Sequence, residues 1–346
     1  AEYAKTRARW EPLYEMSQIK GDEEAHPLLS PSDEFADFEM AYSIQDYSGR
    51  KFEKKNYVRY GLERGLKYKE DLGTNPFKYG FVGGTDNHNG TPGNVEEDNY
   101  TVGSHGLADQ TAEDRTKQVI DGWATAYDIN PGSLTAVWAQ TNTREAIWDA
   151  MKRKETFATS GPRMKVRVFG GYDFKDAYSD NSYIEDGYAK GVPMGGDLTA
   201  GDNDGKAPVF LLRAVKDPLG ANLDRLQVVK GWIDSAGQQQ EKVYNVAWSD
   251  DRQLDASGNL SPVGNTVDLS SGRYDNSIGQ PEFSLRWTDP DFGPQQSAFY
   301  YVRVLQIPTP RNGLLDSLAL ELDEPPRGAK TIQERAYSSP IWYQPQ

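Results

Sequence analysis

Residues 79–93 read YGFVGGTDNHNGTPG, and the first half of the chain is best read outward from this stretch. Phe81 and Val82 end a short apolar run with the character of a buried strand. Gly83 and Gly84 then free the backbone, and Gly90, Pro92 and Gly93 keep the following segment a loop. Alternate side chains of an extended segment share a face, so Asp86 and His88 are expected to point the same way. A carboxylate and an imidazole on one side of a strand end can bind a single cation. The pair follows a strand and two glycines, where α/β enzymes place their sites, and is read as a pair of metal ligands rather than a structural hydrogen bond. Carboxylate plus imidazole suits zinc, manganese or iron, not calcium.

Around this stretch, helical and strand signals alternate. Residues 13–19 read as a short strand ending at Gly21, and 34–45 (EFADFEMAYSIQ) as a helix capped by Ser32 or Asp33. Residues 57–72 carry helical spacing at Val58, Leu62 and Leu66. Residues 142–154 (NTREAIWDAMKRK) give the clearest helix, with Asn142 and Glu145 in a capping-box pattern and Ala146, Ile147, Ala150 and Met151 on its apolar face. This alternation predicts an α/β layer structure, part of a barrel.

Past residue 160 the pattern changes. Residues 164–169, 209–215, 226–233, 242–248, 283–287 and 298–307 read as strands separated by turn-rich pieces such as DNDGKAP and DASGNLSPVGN. A β-sandwich-like domain is expected over 161–346, with the boundary at Ser160-Gly161-Pro162, and residues 174–197 are expected to be a long ordered loop.

Composition narrows the function. At 346 residues the chain exceeds what one core usually serves. The net charge of −14 argues against a nucleic-acid partner, whose phosphates need basic surface. With no cysteine, disulfides, zinc–thiolate sites and cysteine nucleophiles are excluded. No run approaches the roughly 20 apolar residues that span a bilayer, and no signal peptide is visible. The first residue is Ala1 rather than methionine, so a processed product or a fragment is expected.

The chain holds three histidines, His26, His88 and His105. His26 lies among Asp22, Glu23 and Glu24, and the functional reading places Glu15, Asp22, Glu23 or His26 in the same pocket as Asp86; the alternative is a solvated loop. His105 sits in a polar stretch and is read as a surface histidine. Arg163 either binds an anionic substrate group or makes an interdomain salt bridge. Asp202 and Asp204 in GDNDG lack the full spacing of a calcium loop.

Several stretches carry a family resemblance. GFVGGTDNHNGTPG resembles the last metal-binding motif of the PHP (polymerase and histidinol phosphatase) superfamily of metal-dependent hydrolases. EPLYEMSQIKGDEEAHPLLSPSDEFADFE, LTAVWAQTNTREAIWDAMKRKETFATSGPRMKVRVFGG, AFYYVRVLQIPTPR and ERAYSSPIWY resemble the DUF3604 family, itself similar to the CehA/McbA-type PHP hydrolases. The resemblance runs from about residue 11 to 343. It implies a bacterial protein, periplasmic or secreted. The fold it implies is a distorted PHP-like (β/α) barrel, of which residues 1–160 are the C-terminal part, followed by a β-rich domain.

By the motif, Asp86 and His88 would hold zinc or manganese. Glu15 and Arg163 would then contact substrate, and His26 or Glu23 would position it or move a proton. The activity implied is hydrolysis of a small-molecule phosphoester or carboxyl or carbamoyl ester by metal-activated water. Superfamily members begin with a His-x-His strand that this chain lacks, so an N-terminal segment or a partner chain is expected to complete the barrel. The rival expectation is a non-catalytic protein whose β-rich domain recognises a glycan or partner. Metal analysis separates the two.

Overall fold

Strand Ala298–Gln306 (AFYYVRVLQ) is buried along its whole length, and the architecture follows from what covers its two faces. The computed structural model describes residues 1–41, 53–88, 90–99, 112–113, 119–120, 124–125, 128–175, 180–201, 203, 205–322 and 328–345. The central strand pairs antiparallel with Leu223–Ile233 on one side, and on the other with Arg335–Ser338 and Ile341–Gln344. Gln239–Trp248 extends the sheet beyond Leu223–Ile233, and Asp197–Thr199 pairs with Ile341–Gln344. Thr156–Thr159 pairs with Arg335–Ser338 and then with Leu134–Val137, making eight strands.

Successive strand side chains point to opposite faces, so a strand covered on both sides reads as a near-continuous apolar run. Tyr300, Val302 and Val304 with Val228 and Leu226 enter one core. Val166, Val168, Phe210, Leu212 and Phe283 of a second sheet meet them there. That sheet has four strands in the order Gly191–Pro193, Lys165–Gly171, Val209–Val215 and Glu282–Thr288. Phe299, Tyr301 and Val229 face the other way, against Met16, Phe81 and the Val58, Leu62 and Leu66 stripe of helix Val58–Leu72. The helix stops at Gly73, whose φ of 74° is the left-handed conformation that glycine adopts without steric cost.

The fold is thus mixed α/β and β-rich, with five α-helices among the described residues. No closed barrel occurs among the described residues. Strands Leu13–Glu15 and Gly80–Val82 form a parallel pair of their own. Both edges of Thr156–Thr159 are already hydrogen-bonded, to Leu134–Val137 and to Arg335–Ser338. Strands from both sides of residues 160/161 therefore share one sheet.

Three local expectations need correction. Residues 34–39 form turns, not a helix, and 42–45 lie outside the described residues. Helix Arg144–Lys152 is capped by Thr143, whose side chain accepts from the Ala146 N–H, not by Asn142. Residues 174–197 are not a loop, because they contain helix Asp180–Lys190, whose Tyr183 packs with Phe169, Phe174 and Leu211 on the outer face of the small sheet.

Candidate functional site

The start of the turn after strand Gly80–Val82 is pinned to residues 133–135. Ser133 N–H donates to Gly84 O at 2.8 Å, and Thr135 Oγ1 bonds both the amide and the carbonyl of Gly83. The two glycines serve close approach rather than chain freedom. A Cβ on Gly83 would lie 2.8 Å from Ser133 Cβ, and one on Gly84 would lie 2.5 Å from Glu15 Oε1. Gly84 therefore leaves room for the Glu15 carboxylate.

Asp86 and His88 do not share a face through strand alternation. Both hold left-handed backbone, with φ of 53° and 52°, a region where Asp and His are enriched among non-glycine residues. They still meet, His88 Nε2 lying 3.0 Å from Asp86 Oδ1. The other carboxylate oxygen, Oδ2, accepts from Gln18 Nε2 at 3.0 Å and pairs closely with Lys20 Nζ. The site is half-open, with side-chain exposure of 33% for Asp86 and 48% for His88.

Glu15 and Glu23 complete the acidic surroundings. Burial, together with the neighbouring Glu23 charge, raises the Glu15 pKa. Burial likewise raises Glu23, which accepts from Tyr14 OH. Burial lowers Lys20, against the pull of Glu15 and Glu23. Ammonium, carboxylates and imidazole thus gather at the carboxyl ends of two parallel strands, the usual ligand crevice of open α/β sheets.

Asp86 and His88 supply two donors suited to a divalent transition metal, and Lys20 stands on one of them. Among the described residues no group of three or more His, Cys, Asp or Glu is placed to hold a metal ion.

The remaining candidates lie elsewhere. His26 is buried and accepts from the Leu28 N–H through Nδ1 at 3.1 Å. It lines a separate pocket of ≈180 Å3 with Lys54, Tyr57, Arg59, Glu63 and Glu241. Arg163 pairs with Glu96 at 3.0 Å. His105, Asp202 and Asp204 lie outside the described residues.

A buried ionic network escaped the sequence reading. Arg303 Nη1 and Nη2 reach Asp33 at 3.0 and 2.6 Å, and Nη1 also reaches Glu24 at 2.8 Å. Arg59 Nη2 donates to Glu24 at 2.7 Å and to Asp33 at 2.8 Å, and Tyr301 OH donates to Glu24. Burial disfavours both carboxylate charges, but the two guanidiniums outweigh it and hold Glu24 and Asp33 below the usual range. Two acids and two arginines balance, which makes complete burial tolerable. The signal was Arg303, a charge inside the apolar run AFYYVRVLQ.

The described helices include none long and apolar enough to cross a membrane. No curated protein matches the chain. The model of the family described as "Protein of unknown function (DUF3604)" matches residues 1–345. Nearly the whole sequence is covered, and the chain belongs to the DUF3604 family.

Proposed function

We propose that the Asp86–His88 turn is part of the metal centre of a hydrolase acting on a small-molecule phosphoester or carboxyl or carbamoyl ester. The observation that carries this reading is the Asp86–His88 contact, with Glu15 over Gly84, at the ends of parallel strands. The resemblance of the same stretch to the last PHP motif supports it, and a PHP-like relationship belongs to this proposal. A bound zinc or manganese ion would lower the pKa of its water toward about 7 and polarise the scissile oxygen. Asp86 offsets the charge of the ion and His88 offers an imidazole nitrogen. Lys20, released from Asp86, is placed to meet the developing negative charge on substrate. Glu15 lies beside the turn as a substrate contact, and Glu23, its pKa raised by burial, is the proton carrier of this proposal. His26, in its own pocket, has no part here.

The other ligands come, in this proposal, from a preceding segment or a partner chain. Helices Glu2–Trp10 and Arg144–Lys152 touch through Lys152 Nζ and Arg9 O at 2.9 Å, and each leaves a tryptophan exposed, Trp10 and Trp148, as a surface for such a partner. A periplasmic or secreted setting is part of the same reading. The test is hydrolysis of p-nitrophenyl phosphate and p-nitrophenyl acetate by the complete protein, before chelation, after it, and with Zn2+ or Mn2+ restored. Activity that chelation removes and metal restores supports the proposal; activity indifferent to metal, or none with added metal, defeats it.

A further inference from the structure

A cavity of ≈280 Å3 holds groups that the Asp86–His88 centre does not use. It opens beside Arg163 at the end of strand Ala298–Gln306, near the lower bound of small-molecule sites, about 300–1,000 Å3. Its polar wall includes Gln306, Glu334, Glu97, Asp217 and Arg163, and Tyr274 adds an aromatic surface.

Gln306 is the informative residue. It is 1% exposed, and its Nε2 has no hydrogen-bond partner among the described residues. Orphaned buried donors are rare in folded proteins because the lost hydration is not replaced. The same cavity is lined by the carboxyl groups of Glu97 and Glu334. Glu334, also buried, accepts from Ser160 Oγ, and Glu97 accepts from the Asn312 N–H that starts helix Asn312–Ala319. A carboxyl group accepts through its oxygens and, when protonated, also donates through its O–H. Burial raises Glu97 to about 7, and burial with the Glu97 charge raises Glu334 well above the usual range.

We propose that this cavity binds a neutral saccharide ring between the Gln306 amide and the carboxyl groups of Glu97 and Glu334. A hydroxyl both donates and accepts, so adjacent sugar hydroxyls satisfy the Gln306 donor and the Glu97 and Glu334 carboxyl groups together, whichever of these is protonated. A cation would leave the Gln306 N–H groups without an acceptor. An anion would face Glu97, Glu334 and Asp217, and Arg163, the basic residue of the lining, is paired with Glu96. Tyr274 and the 95% exposed Leu219 offer apolar surface to the C–H face of the ring.

The test is titration calorimetry of the full chain with D-glucose, D-galactose, D-mannose, cellobiose and lactose at millimolar concentrations. At least one is expected to bind. Gln306→Leu and, independently, the rim substitution Tyr274→Ala are each expected to weaken that binding roughly tenfold or more, with the unfolding temperature of Tyr274→Ala little changed. No binding by any of the five overturns the proposal, as does sugar binding that both variants retain. Binding of spermidine or Ca2+ in place of sugar, unaffected by Gln306→Leu, overturns it as well.

Discussion

His88 Nε2 meets Asp86 Oδ1 at 3.0 Å while Lys20 Nζ holds the second oxygen of the same carboxylate. The ammonium therefore occupies the side of Asp86 where a metal ion would bring its charge. Two cations a few ångströms apart repel by about 1–4 kcal/mol near a protein surface. Lys20→Met is expected to tighten Mn2+ binding about tenfold, measured by equilibrium dialysis. Unchanged or weaker binding would show that Lys20 does not compete with the metal.

The two glycines after Val82 should separate in their effects. Alanine at Gly83 brings its Cβ to 2.8 Å from Ser133 Cβ and 3.0 Å from Leu134 O, so the backbone must move. A cost of about 1–3 kcal/mol is expected for Gly83→Ala. Alanine at Gly84 meets only the end of the Glu15 side chain, which can swing aside. Gly84→Ala should leave the denaturation midpoint nearly unchanged while lowering hydrolysis. Equal midpoints for the two variants would contradict this division.

The pairing of Asp33 with Arg303 and Arg59 ties the turns after residue 30 to the central strand. Arg303→Met leaves Glu24 and Asp33 with one guanidinium instead of two, and a loss of about 3–5 kcal/mol is expected in urea denaturation. The folded Asp33 pKa is depressed, so its contribution is present above the unfolded pKa, about 3.9, and is lost as pH falls below it. Asp33→Asn should flatten the acid limb of the stability curve. A loss below about 1 kcal/mol for Arg303→Met would place the network's role elsewhere.

Glu63 titrates in the opposite sense. Burial, reinforced by Glu241, raises its pKa from 4.5 to about 8. A folded pKa above the unfolded one gives stability that is full below about pH 4.5 and declines as pH rises through 8, with a slope of at most about 1.4 kcal/mol per unit. Glu63→Gln is expected to remove that decline, as read from denaturant midpoints between pH 5 and 9. The same slope in both proteins would mean that another group sets it.

Much of the β architecture was legible because strands record their own burial. The stretch 209–215 coincides with strand Val209–Val215, and most other expected strands differ from the observed ones only at their ends. The helix around Leu62 was equally plain, its apolar stripe being set by one neighbouring sheet. Long-range pairing was not legible. Nothing in TFAT announces that it lies between residues 134–137 and a strand nearly two hundred residues later. At the site, the nearness of Asp86 and His88 was legible but its cause was not, because left-handed backbone brings them together rather than strand alternation. Lys20 was missed as the partner of Asp86, since its position depends on the tight pairing of Ser17–Gln18 with Gly21–Asp22.

Metal content of the complete protein, with Asp86 and with Asp86→Asn, tests the metal-centre proposal most directly. Asparagine keeps shape and hydrogen bonding but discards the charge that offsets a cation. The pair with Lys20 is partly solvent-accessible and is worth about 1 kcal/mol, so the fold should survive. Stoichiometric zinc or manganese is expected in the native protein, with metal lost and hydrolysis reduced by orders of magnitude in the variant, at a nearly unchanged unfolding temperature. Full metal occupancy and unchanged turnover in Asp86→Asn would contradict a metal centre at this turn.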